Sequence, residues 1–187
     1  MCHQPAYDRE VTMTDREHVV YRLLIGAVVL TSAVAALATF FASSYESVWD
    51  SLNTVVDSVP MIPARYWASG SDFPDLSAIY FFWAWPVFPA SGAALAIRFW
   101  TPNDMSWAGR LNSEFKLVLG CLVMLAIGLS VLWTLDGEEV MGVPIGARLA
   151  DLLMVGWAPF AMGGCLTGLG VLGFRRLHGP SRSKGGY

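Results

Sequence analysis

Four long apolar stretches, each bounded by polar or charged segments, divide the chain. They cover roughly 19–41, 77–97, 116–135 and 150–174. Each approaches or exceeds the roughly 20 residues that a helix needs to cross a bilayer. Their charges, Arg22, Arg98, Lys116, Asp151 and Arg175, all lie at the ends. Thr31, Ser32 and Thr39 inside the first stretch can bond their own helix backbone. Between the first two stretches the pattern changes. Apolar residues fall at 45, 48, 49, 52, 55, 56 and 59, with Glu46, Asp50, Asn53 and Asp57 in the gaps. That spacing predicts an amphipathic helix over 45–59. Ser43 and Glu46 read as a capping box at its start, and Pro60 and Pro63 end it. Its polar side is acidic, so the apolar stripe is expected to pack on a helical bundle rather than bind anionic lipid. Residues 64–76 read as a loop.

Within the second stretch, Tyr80, Phe81, Phe82, Trp83 and Trp85 read as an aromatic belt at one membrane face, with Phe99 and Trp100 marking the other. Pro86 and Pro89 each remove a backbone donor and predict a kink or local opening. Such a kink serves either helix packing or a binding site. The fourth stretch has Trp157 and Pro159 in its first half and Gly164-x-x-x-Gly168 in its second. That glycine spacing lets two helix backbones approach closely. Arg175 and Arg176 are expected to stop the span, and 179–187 reads as a disordered tail.

Composition agrees with this pattern. Of 187 residues, 55% are hydrophobic and 14% charged, against about 45–50% and about 25% in soluble domains. The N-terminal segment, with Asp8, Arg9, Glu10, Asp15, Arg16 and Glu17, lacks the basic n-region of a cleaved signal, so the first stretch reads as a retained signal-anchor. Arg9, Arg16, Arg22, Arg98, Arg110, Lys116, Arg175, Arg176, Arg182 and Lys184 fall on one side of the alternating spans, and only Arg65 and Arg148 on the other. The positive-inside rule then places both termini in the cytoplasm. The expected fold is all-α: one integral membrane domain, a four-helix transmembrane bundle with an external amphipathic helix between spans 1 and 2.

Candidate chemistry is sparse. His3, His18 and His178 lie outside the apolar stretches, so none can ligate an intramembrane haem. No hydrolase, nucleotide or zinc-protease motif is present. Cys2-His3 offers two adjacent ligands on a terminus, and Cys121 and Cys165 read as small packing residues. Asp72, Asp75, Glu138, Glu139 and Asp151 read either as solvated loop charges or as an acid pair or calcium site. The spans carry no central charge, which argues against proton-coupled transport, though a Thr- and Ser-lined oligomeric pore needs none. No cofactor, metal or nucleic acid is expected, and no enzymatic activity.

What remains is binding. The candidate packing or partner residues are Trp83, Trp85, Pro86, Pro89, Trp157, Pro159, Gly164 and Gly168, and the candidate specificity residues of the external loops are Trp49, Asp50, Trp67, Glu138 and Glu139. Expected partners are membrane lipid and another integral membrane protein or inserted toxin helices, with a homo-oligomer also open. In its length, four spans, cytoplasmic termini, Ser43–Asp75 external loop, Ser77–Ile97 span, Arg98–Lys116 connection and basic tail, the chain resembles the four-span immunity proteins that protect bacteria from pore-forming colicins. The resemblance covers the whole chain as architecture and transfers no individual residue. It implies a protein of the bacterial cytoplasmic membrane that blocks a membrane-inserting toxin by helix–helix contact. The alternatives are an accessory or assembly subunit of a larger respiratory, photosynthetic or secretory complex, and a small oligomeric channel or transporter.

Overall fold

The computed structural model describes residues 15–99, 114–140 and 142–178. The N-terminal segment, the connection carrying Arg110 and the tail 179–187 lie outside the described residues. The protein is all-helical, with no strands among the described residues. In chain order the helices are α1 (Asp15–Ser44), α2 (Glu46–Ser58), α3 (Ala64–Trp67), α4 (Pro74–Ala84), α5 (Val87–Arg98), α6 (Glu114–Thr134), α7 (Leu149–Val155) and α8 (Ala158–His178). Four stretches, Arg16–Ser44, Pro74–Arg98, Lys116–Thr134 and Leu149–Phe174, are long and apolar enough to cross a membrane. The fourth apolar stretch ends just before Arg175 and Arg176, as expected, while its helix continues to His178.

The second and fourth stretches form the centre. Over an apolar 18-residue window of each, 50% of the second and 39% of the fourth are buried inside the protein, against 11% and 17% for the first and third. Accordingly α1 packs along α4 and α5, α6 packs along α8, and α5 joins the two pairs by packing against α8. The α5–α8 seam is close because glycines line it. A Cβ on Gly92 would lie 2.7 Å from the Gly164 carbonyl oxygen, and one on Gly168 would lie 2.6 Å from that of Gly92. A Cβ on Gly164 would collide with the Phe88 carbonyl and Ser91 Oγ. Ser91 Oγ ties the seam further by donating to the Ala161 carbonyl at 3.1 Å.

Both central stretches are broken. The second opens at Trp85–Pro86, where proline has no N–H to donate, and Phe88 N–H bonds back only to the Trp85 carbonyl. Pro89 makes no second kink. It lies in the first turn of α5, where helix donors have no intrahelical partner in any case. The fourth opens at Gly156–Trp157, a break the sequence reading did not anticipate. Pro159 again occupies the first turn of the helix that follows. At Gly156 the Tyr80 ring leaves no room for a side chain.

The N-terminus of α2 also differs from the capping-box expectation. Its N-cap is Tyr45, without a side-chain cap bond, and Ser43 Oγ instead donates to the Phe40 carbonyl within α1. Of the aromatic run, Tyr80 and Phe81 are fully buried inside the protein, and Phe82, Trp83 and Trp85 are half-buried. Phe81 and Trp67 both meet the Phe160 ring edge-on, at 6.0 and 5.1 Å between centroids. These rings anchor the main core near the two breaks.

Candidate functional site

At one end of the four long helices, α2, α3 and the 135–148 segment form a cap built on hydrogen bonds. The last carbonyls of a helix lack intrahelical donors, and α3 supplies two for α6. Trp67 Nε1 donates to the Leu132 carbonyl at 2.7 Å, and the Tyr66 hydroxyl to that of Trp133 at 2.8 Å. Gly70 N–H donates to the Asp136 carbonyl at 2.7 Å and Asp72 N–H to that of Gly146 at 2.9 Å. Ser71 Oγ is shared between Ser77 Oγ and the Gly146 carbonyl. Residues Val140 and Val143 exchange two backbone bonds of 2.9 Å, closing the 135–148 turn. The turn passes Gly137 at φ 76°, a left-handed conformation, with the Trp67 carbonyl against its Cα.

Arg65 fastens α2 to this cap. Its guanidinium donates to both carboxylate oxygens of Asp57, at 3.0 and 3.2 Å, to Asn53 Oδ1 at 2.8 Å, and to Asp75 at the start of α4. The bond to Asp57 is the main cause that holds the guanidinium above its ordinary pKa. Arg65 is thus charged far above neutrality, and the stability linked to its own proton is lost as pH climbs past that raised value. The cluster is partly exposed, so Arg65→Ala should cost only about 1 kcal/mol. The sensitive readout is local: hydrogen exchange should accelerate in α2 and leave α8 unchanged.

Between this cap and α6 lies an apolar groove of about 640 Å³. Met61, Ile62, Pro63, Tyr66 and Trp67 line it from the cap side, Leu132 and Trp133 from α6, and Trp85 from the break of the second helix. Met61 and Trp133 are largely exposed.

The candidate residues separate into distinct roles. Trp85 and Trp67 meet at the groove. Trp67 is otherwise buried, and its indole N–H joins α3 to the end of α6. Trp49 is half-buried against the core, and Asp50, Glu138 and Glu139 are exposed on the cap. Gly164 and Gly168 face Gly92 at the internal seam, and Pro159 is buried. Trp157 is exposed and bonds the Met154 carbonyl at 2.9 Å, bridging its break. Trp83 is half-buried, Pro86 stands at the other break and Pro89 is exposed. The Tyr80 hydroxyl and Trp83 indole N–H are buried without a hydrogen-bond partner among the described residues. The acidic residues do not converge: Asp75 is taken by Arg65, and no group of three or more metal-ligating side chains occurs among the described residues.

Sequence reasoning passed over Arg65, Tyr66 and an internal repetition. Trp85-x-x-Phe88-x-x-x-Gly92 returns as Trp157-x-x-Phe160-x-x-x-Gly164, each beginning at a helix break. Tyr21-Arg22-Leu23-x-x-Gly26-x-x-Val29 is echoed by Phe115-Lys116-Leu117-x-x-Gly120-x-x-Val123. The two halves therefore follow one plan, a continuous apolar helix followed by a broken one, with α2 and α3 inserted only in the first. Comparison with family models, curated proteins and solved structures finds no match.

Proposed function

We propose that this protein is a non-enzymatic, multi-pass membrane binding protein that recognises a partner arriving at its capped face. Its four long helices form a transmembrane bundle in a bacterial cytoplasmic membrane, with both termini in the cytoplasm and α2, α3 and 135–148 outside. The distribution of lysine and arginine supports that orientation. The observation that carries the binding reading is the cap. It is fastened by three side chains of α3 that reach Asn53 on α2 and two backbone carbonyls of α6, a degree of order that a simple membrane anchor does not need. It also presents Glu46, Asp50, Glu138 and Glu139 to the exterior. The best specific reading is immunity: contact with the apolar helices of an inserting toxin, which prevents a pore from opening.

Orientation is tested by single cysteines at Glu46 and Asp50. Both should react with a membrane-impermeant thiol reagent in intact spheroplasts, and labelling that requires lysis would place the cap inside. Partner choice is tested by affinity purification at native expression level in mild detergent, followed by mass spectrometry. Immunity predicts recovery alone or with one toxin-like protein, and survival of cells challenged with that toxin. A stoichiometric set of larger membrane subunits would instead make the protein an accessory subunit. Ion flux through the purified protein in vesicles would favour a channel.

A further inference from the structure

We propose that the groove between the cap and α6 is a binding site for one acyl chain of a bilayer phospholipid. This rests on the membrane reading above and is separable from the identity of any protein partner. Four observations converge. The lining is almost wholly apolar, and two of its polar hydrogens are already used, the Tyr66 hydroxyl by the Trp133 carbonyl and Trp67 Nε1 by the Leu132 carbonyl. A strongly polar ligand would lose more hydrogen bonds to water than the indole N–H groups of Trp85 and Trp133 could replace.

The size also selects. A volume of about 640 Å³ lies within the roughly 300–1,000 Å³ typical of ligand sites. An α-helix about 10 Å across would fill it with only about one and a half turns, too little to seat a partner's span. An unbranched hydrocarbon chain suits such a narrow apolar volume. Finally, the groove continues a surface that lipid already covers in this reading. Leu122, Leu129 and Trp133 are exposed along one face of α6, and that stripe runs into the groove at Trp133. The groove also lies between the two halves of the chain, with Trp85 at the break of one broken helix, a position that binds ligands in repeat-built membrane proteins. Only the first half carries α2 and α3, so the site is single.

The test reconstitutes the full chain in phospholipid nanodiscs in which a tenth or so of the lipid carries a photoreactive diazirine on its acyl chain, and maps adducts by mass spectrometry. Adducts are expected at Ile62 and Trp85 as well as on exposed α1 residues such as Leu23 and Leu30. A groove-filling variant, Leu132→Trp, should lose the Ile62 and Trp85 adducts at least fivefold and keep those on α1. If that variant fails to fold, Pro63→Trp offers a second filling from the opposite wall. Labelling of α1 without the groove, or groove labelling unaffected by either filling, overturns the proposal. Absence of adducts on α1 as well overturns the membrane reading itself. Groove residues protected in native membranes but labelled after purification would assign the groove to a protein partner, and overturn the lipid assignment.

Discussion

Gly164→Val should destabilise the protein by about 3 kcal/mol, close to the upper end of typical overpacking penalties. The new side chain would enter the α5–α8 seam, where even a Cβ collides with the Phe88 carbonyl and Ser91 Oγ. Neither neighbour can yield cheaply: one is backbone, and the other bonds the Phe88 and Ala161 carbonyls. Separating the helices would then forfeit contact along Gly92 and Gly168 as well. The control is Gly26→Val in α1, where nothing lies within 4 Å of the added Cβ. Unfolding in mixed micelles titrated with sodium dodecyl sulfate should show a large loss for the first variant and little for the second. Equal midpoints would mean that the seam is not packed backbone against backbone.

Trp67→Ala should have a comparable effect, about 3–5 kcal/mol, as expected for a large buried aromatic. The ring is almost fully buried, meets Phe160 edge-on, and its N–H caps the last turn of α6. Trp67→Phe separates the two contributions. It keeps most of the ring and leaves the Leu132 carbonyl without a donor, for a loss of about 1–2 kcal/mol. Limited proteolysis provides the spatial readout. Cleavage should appear first in 60–72 and 135–148, while the seam between α5 and α8 stays resistant. Early cleavage within α8 would contradict a cap that is fastened separately from the helical centre.

The four long helices and α2 were legible in the sequence for different reasons. Run length alone identifies the former, because few soluble helices stay uncharged for so long. For α2 the contrast between its acidic side and its apolar stripe sets the period. The inward face of each long helix was much less legible, since lipid and protein interior are both apolar and impose no such contrast. Tyr80 and Phe81 therefore read as interface aromatics, although they are core residues. Glycines carried more information, and Gly164 and Gly168 lie at the seam, yet their partner Gly92 drew no attention because Gly-x-x-x-Gly is absent around it. The cap was hidden for another reason. Its bonds join residues far apart in the chain, and α3 is a single turn inside what reads as a polar loop. At Gly156 the exclusion of a side chain by the Tyr80 ring is invisible locally, although Pro159, which withholds a donor from the Val155 carbonyl, does mark the break in the sequence.

The capping of α6 by α3 also orders events during synthesis. Trp67 emerges from the ribosome 65 residues before the carbonyl it bonds. Until α6 has been made, α3 has no acceptor at its tip, and until α8 has begun the Trp67 ring has no Phe160 to meet. A nascent chain ending after α5 thus carries an unfastened, aromatic-rich loop. The finished cap reports on synthesis: its hydrogen bonds can close only once the chain has been translated through Gly146.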